Sequence, residues 1–359
     1  MAAIFQGFGG SLSDHEVFEA DLALADLAEP LGYQSIWGVE HHFTSYAMCP
    51  DILQFLTYMA GRTKTVKLGS MVAVLPWHDP LRLAEQIVML DHLSSGRLIV
   101  GMGRGTGKVE FDGFRTGMGT ARQQFKEAAE AILGALETGV MEYHGEIVEQ
   151  PRVQLRPAPL ADFRGRLYSA TVSPESAQIM AKLGTGVLII PQKPWHLVKE
   201  ECDTYRATYR AEIGTEPPSP IVAGWTYVDT NADRAEEQAR RWIGRYWDSV
   251  IDHYEFDRPH LKNTPGYEFH GLMYDRLNVP GGREKMTDFY VALQPWGTPE
   301  QVVSKITAFC QLIGADNFVG VFRFGGMGEA EAEASMRLFA AEVLPELTSW
   351  HPSVSVAAT

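Results

Sequence analysis

The sequence predicts an α/β protein folded as a single (β/α)8 barrel. Short apolar runs of strand character alternate with helix-length amphipathic segments along most of the chain. The alternation reaches eight strands within 359 residues, a length that suits one such barrel or two ordinary domains. No Gly-x-Gly-x-x-Gly follows the first strand, which argues against an open dinucleotide-binding sheet.

In order, the first strand fits Ala2–Phe8. Asp14 caps a helix running to about Leu31, with Val17, Leu22, Leu24 and Leu27 on one face and Gly32 as the stop. The second strand opens at Ser35 and runs into "SIWGVEHHF". A helix over Pro50–Gly61, a strand over Val66–Ala73 and a helix over Pro80–Ser94 follow, the last with Leu83, Ile87, Leu90 and Leu93 on its apolar side. The fourth strand fits Leu98–Gly103. Helix Ala121–Glu137 leads to a hairpin over Met141–Pro159 that turns at Gly145. Next come strand Leu167–Ala170, helix Pro174–Leu183, strand Gly186–Ile190 and helix Trp195–Ile213. Pro217, Pro218 and Pro220 stiffen the link to strand Ile221–Val228 and helix Ala232–Asp252. Thr298 caps a helix to Gly314, with Pro299 at its first position. Strand Phe318–Phe324 is the eighth, and helix Ala330–Leu347 closes the pattern. Two stretches break the rhythm: the glycine-rich loop Gly101–Gly119, after strand four, and His253–Gln294, before strand eight. The expectation is one domain over residues 1–359 with insertions at about 104–120, 141–160 and 253–294.

A formal charge of −14 argues against nucleic acid or an anionic membrane as the main partner. No run approaches the ~18–20 apolar residues of a membrane span. "MAAIFQGFGG" lacks the basic start and apolar core of a signal peptide, and Cys49, Cys202 and Cys310 are too few and scattered for a disulfide framework. A reducing cytoplasm is the expected location.

In a (β/α)8 barrel the chemistry sits at the C-terminal ends of the strands. Glu40, His41, His42, Arg104, Thr171 and Arg323 fall there. A carboxylate and two imidazoles in a row suit acid–base work, or equally a self-satisfied pair at a barrel rim. Neighbouring residues of an extended segment point to opposite sides, so His41 and His42 are poorly placed to share an ion, and no metal is expected. Glycines around Arg104 would let backbone N–H groups approach an anion beside a fixed positive charge; a solvated arginine on a flexible loop is the plainer alternative. Ser173, Pro174 and Ser176 open a helix and read either as an ordinary cap or as a phosphate site. Met71 to Pro76 is an apolar strand end, either barrel filling or a floor under a flat ring, and Trp37, Trp77, Trp195, Trp225 and Trp296 are core or cavity walls.

Taken together, "WGVEHHF" and "LGSMVAVLPWHDPLRLAEQIVMLDHLSSGRLIVGMGRG" resemble the bacterial luciferase-like flavin-dependent monooxygenases, especially the luciferase alpha chain, of the alkanal monooxygenase type. The likeness extends through "YWDSVIDHYEF", "WGTPEQVVSKI" and "SMRLFAAEVLPEL". It implies reduced FMN (FMNH2) supplied by a separate flavin reductase, and O2 activated as a flavin 4a-peroxide to oxygenate a small apolar or carbonyl-bearing substrate. His41 matches the family's catalytic histidine, with Glu40 beside it in the flavin site. Arg104 matches the arginine on the flavin phosphate, Ser173 and Ser176 match hydroxyls on the phosphate side, and Met71-Val72 match a non-proline cis peptide under the ring system. A homodimer is implied through helices near strands two and three. Three departures stand out. Gly103 replaces a reactive cysteine, which weakens any claim of light emission. Arg323 replaces a carboxylate, which implies different substrate or phosphate contacts there. Residues 253–294, which match a mobile active-site loop, diverge. The alternatives are a deazaflavin-dependent oxidoreductase of the same superfamily, a non-catalytic flavin-binding protein and a metal-dependent barrel hydrolase.

Overall fold

A computed structural model describes residues 1–171 and 174–350. Eight parallel strands close a barrel: β1 (Ala2–Ala3), β2 (Ser35–Gly38), β3 (Lys67–Ser70), β4 (Leu98–Gly103), β5 (Leu167–Thr171), β6 (Gly186–Ile189), β7 (Ile221–Trp225) and β8 (Asn317–Val321). Each strand pairs with the next, and β8 pairs back to β1 with Val321 opposite Ala2. The barrel is wrapped by α1 (Asp14–Asp26), α2 (Ile52–Arg62), α3 (Pro80–Leu93), α4 (Lys108–Phe114), α5 (Ala121–Thr138), α6 (Pro174–Lys182), α7 (Trp195–Ile213), α8 (Ala232–Tyr254), α9 (Glu268–Leu277), α10 (Gly282–Ala292), α11 (Pro299–Ile313) and α12 (Glu329–Leu338). No helix among the described residues is long and apolar enough to cross a membrane.

Several boundaries differ from the sequence reading for identifiable reasons. β1 stops early because Phe5 takes a φ of +48°, which an extended strand does not allow. Ser13, not Asp14, caps α1: its hydroxyl accepts from the Glu16 N–H while Glu16 bonds back to the Ser13 N–H. β2 ends at Gly38, and Phe43 turns the chain at a φ of +64°. β7 ends at Trp225, and Tyr227–Val228 instead pairs with Trp296–Gly297 in a separate ribbon. The last helix is interrupted by a π turn over Phe339–Val343, where Pro345 supplies no N–H to the carbonyl four residues before it.

Neither long excursion is a loop. The glycine-rich stretch after β4 contains α4, which buries Glu110 and Phe111 completely. Residues 253–294 contain α9 and α10 and bury Leu261, Tyr267, Met273 and Tyr290. The hairpin after α5 is present, with strands Val140–His144 and Glu149–Gln154 antiparallel.

One irregularity positions the site. β3 pairs with β4 at Leu68 and Gly69, loses register, and resumes at Ala73 and Val74. The Met71–Val72 peptide between the two pairings is cis. Across the gap the Ser70 hydroxyl donates to the Gly101 carbonyl (2.9 Å) and accepts from the Gly101 N–H (2.8 Å), replacing the missing ladder bonds. A Cβ on Gly101 would lie 2.1 Å from the Ser70 carbonyl oxygen and 2.5 Å from Leu188 Cδ1. The oxygen belongs to a strand and cannot give way. Gly101→Ala is therefore expected to destabilise the fold by about 2–3 kcal/mol, read as a lower urea midpoint with an unchanged slope; an unaltered midpoint would show that the strand break is slack.

Candidate functional site

The C-terminal mouth of the barrel gathers most of the residues that the sequence singled out. Glu40, His41, Met71, Val72, Arg104 and Ser176 line one pocket of about 170 Å³. Thr171, at the end of β5, is linked to Ser176 by a 2.9 Å hydroxyl contact. Ser173 lies outside the described residues. Arg323 does not reach this pocket: it is buried against Asp21 of α1 at 3.2 Å.

His41 and His42 point to different carboxylates, as neighbours on an extended segment must. Glu40 is buried and fully used. Its Oε1 accepts from His42 Nε2 (3.2 Å) and His78 Nε2 (2.7 Å), and its Oε2 from the Val74 N–H (2.9 Å). Burial pushes its carboxyl upward, but these three donors outweigh it and hold the group below the usual range. Glu40 thus fastens the end of β2 to the segment just past the Met71–Val72 bond. His42 packs edge-on against Trp77 and Phe114, with ring centroids 5.2 and 4.6 Å away, and serves this scaffold.

His41 answers to Glu110 of α4. Glu110 Oε1 accepts from His41 Nδ1 and from the His42 N–H, both at 2.9 Å. His253, at the end of α8, stands 3.5 Å from the same oxygen and bonds through Nδ1 to the Thr44 hydroxyl at 2.9 Å. Burial raises the Glu110 carboxyl, yet the His41 and His253 imidazoles bring it down to about 2. An ionised carboxylate only accepts, so His41 carries its proton on Nδ1. Its Nε2 is then the basic nitrogen and lies 3.4 Å from the Tyr254 hydroxyl. Ligand-capable atoms of His41, Glu110 and His253 all lie within 4.8 Å of one another. A metal-capable group therefore exists among the described residues, although it is not the His41-His42 pair weighed from the sequence.

The far end of the pocket is cationic. Arg104 is half-buried and makes no salt bridge among the described residues. It donates to the Gly266 carbonyl (2.7 Å) and stacks 3.9 Å over the Tyr267 ring. Arg122 donates to the same carbonyl and pairs with Glu175 of α6. His270 of α9 completes this wall, with a buried Nδ1 that has no partner among the described residues. The sequence reading missed Glu110, Arg122, His253, Tyr254 and His270. Their only advance signal was position: Glu110 and His270 inside the two excursions, His253 and Tyr254 at the end of a helix cut two residues short, and Arg122 in the first turn of an expected helix.

A family model described as luciferase-like monooxygenase matches residues 2–317. The alkanal monooxygenase alpha chain of Photorhabdus luminescens is 26% identical over 344 residues, covering 93% of each chain. The crystal structure of monooxygenase RslO1 from Streptomyces bottropensis is 26% identical, with a TM-score of 0.80 over 96% of this chain and 98% of that one. A type II Baeyer–Villiger monooxygenase constituent from Pseudomonas putida, solved with FMN, shares the fold at 19% identity and a TM-score of 0.69, over 96% and 98%.

Buried histidines give the site a pH signature. Burial, reinforced by the Arg104 and Lys193 charges, holds His270 down to about 3, and burial also lowers His253. Both are neutral in the folded state and take up protons on unfolding below their ordinary value near 6.5. Their contribution is complete above that pH and is lost as pH falls, at up to about 1.4 kcal/mol per pH unit for each. His78, which is raised, acts in the opposite sense. The thermal midpoint is expected to drop between pH 7 and pH 5, and His270→Asn to flatten that drop. An equal drop in the variant would remove His270 from this role.

Proposed function

The chain belongs to the luciferase-like monooxygenase family, and on that premise we propose that it is an FMNH2-dependent monooxygenase of the two-component type, oxygenating a small, largely apolar or carbonyl-bearing substrate. The observation that carries this reading is Arg104. A guanidinium in a pocket, with a carbonyl and a ring for neighbours but no carboxylate partner among the described residues, calls for an anion. Arg122, Ser176 and the start of α6 stand on the same side and suit a phosphate, with Ser173 adjacent in sequence. Met71 and Val72 offer an apolar floor between that end and His41. The residues present therefore fit FMN.

Reduced FMN, when bound, supplies the two electrons that split O2, one oxygen atom passing to the substrate and the other leaving as water. The protein's part is positional and protonic. Arg104 and Arg122 anchor the anionic end. Glu40 acts as a positioning residue through Val74 and His78. His41 takes or returns a proton at Nε2, while Glu110 fixes the tautomer. The aromatic wall around Tyr254 keeps bulk water from the reacting centre.

In this reading a separate flavin reductase delivers the cofactor in the cytoplasm, where three buried free cysteines are at home. Two copies pair through α2 and α3, whose Tyr58, Met89 and Leu93 are exposed.

Arg104→Met is expected to weaken FMNH2 binding at least about tenfold. His41→Ala should keep flavin binding but lower product formed per O2 consumed, by roughly 10²-fold or more. Both are checked with purified protein, a flavin reductase and a substrate panel. Normal product yield from His41→Ala removes His41 from its role. Anaerobic turnover with a deazaflavin and none with FMNH2, stoichiometric zinc bound at His41, Glu110 and His253, or flavin binding without turnover across the panel would each replace the reading with one of its rivals.

A further inference from the structure

Behind His41 lies a second cavity, of about 80 Å³, inside the barrel mouth. It shares His41, Met71, Ile190, Gln192 and Tyr254 with the pocket already described, so the two meet along one wall. The inner walls are mainly aromatic: Tyr46, Trp225, Tyr246, Tyr254 and Tyr290. Trp225 packs 4.3 Å from Tyr246, and Tyr290 lies stacked 6.3 Å beyond it. Small and aliphatic residues from the strands, among them Ala2, Ala223 and Val321, form the base. Among the described residues no Asp, Glu, Lys or Arg lines this cavity.

The polar groups on these walls are unevenly satisfied. The Tyr46 and Tyr246 hydroxyls bond to each other at 2.6 Å, and Tyr254 faces His41. The Tyr290 hydroxyl has no hydrogen-bond partner among the described residues, although the residue is 2% exposed. Nor does the Gln192 carboxamide, which stands where the two cavities meet. Both groups line the cavity with hydrogen-bonding capacity that no described residue takes up, so a polar substituent on a ligand can meet it there.

We propose that this inner cavity is the substrate chamber, and that it takes an uncharged aromatic ring bearing an oxygen substituent, met by Tyr290 and Gln192. The proposal rests on the flavin reading for the word substrate, since the shared wall is what would bring the ring to the cofactor. Three physical points select this class. Flat rings pack edge-on and offset against aromatic walls better than flexible chains do. The cavity is far smaller than the roughly 300–1,000 Å³ of a cleft for a drug-sized ligand, so it holds one ring and leaves the remainder at the shared wall. A carboxylate or ammonium would find no counter-charge there.

The test is equilibrium binding to the full chain, followed by calorimetry, with acetophenone, ethylbenzene, cyclohexyl methyl ketone and benzoate as probes. Acetophenone is expected to bind about tenfold tighter than cyclohexyl methyl ketone, and benzoate to bind at least about a hundredfold more weakly than acetophenone. Tyr290→Phe should weaken acetophenone about tenfold and leave ethylbenzene within about twofold. Gln192→Leu, at a half-buried position, should act in the same direction and stands in if Tyr290→Phe folds poorly. Benzoate binding as well as acetophenone, or both variants treating acetophenone and ethylbenzene alike, would overturn the proposal. FMNH2 binding is measured separately. Its absence alongside intact ring selectivity defeats the flavin reading and not the chamber, whereas intact flavin binding without ring selectivity defeats the chamber alone.

Discussion

Glu110 is a carboxylate held ionised inside the protein, and the barrel mouth is assembled around it. It receives the His41 imidazole and the His42 N–H from the segment after β2, and His253 approaches it from the end of α8. Those segments are about 70 and 140 residues from it in sequence, so one side chain joins the beginning, middle and later part of the fold. Remove its charge and the His41 tautomer is no longer fixed. Burial alone would have neutralised the group; the imidazoles and the backbone donor reverse that outcome.

A second buried carboxylate, Glu40, lies in the segment after β2 itself and takes the other histidine, His42. It ties β2 to the resumed end of β3, where the ladder with β4 is broken. The pairing of each adjacent histidine with its own acid follows from the two-residue period of extended chain. That division separates the tasks. One acid orients a group that faces the cavity, and the other holds the floor in place. The cationic end forms a third unit, drawn together by the Gly266 carbonyl between Arg104 and Arg122.

The barrel was legible because its signals are local. Short apolar runs between helix-length segments marked the strands, and β4 and α7 fall at the expected residues, since each is bounded by turn-forming chemistry at Ser95-Gly96 or Gly214. The His41 and Arg104 neighbourhood was legible because both sit at strand ends. Glu110 was not. α4 is short and flanked by glycines, so its helical period was hidden among residues that read as loop. His253 and Tyr254 were lost because α8 continues two residues beyond the charged residue where it was cut. Arg323 sits at a strand end yet turns to Asp21, and no pattern in a single strand reports which helix will supply a counter-charge. Long-range partnership of this kind depends on closure of the barrel, which composition and spacing do not encode.

α8 has a property that none of its residues has alone. Within its last three turns Tyr246 and Val250 wall the inner cavity, while His253 and Tyr254 flank the His41 imidazole. Arg245, on the same helix, reaches the Gly9 carbonyl on the loop after β1. A helix moves as a rod, so one tilt of α8 would shift the walls of the inner cavity and the surroundings of the His41 imidazole together. A molecule that wedges the chamber open displaces the partners of His41 by the same lever, and one that fits without strain leaves them in register. Fidelity would then be built into the stiffness of one helix.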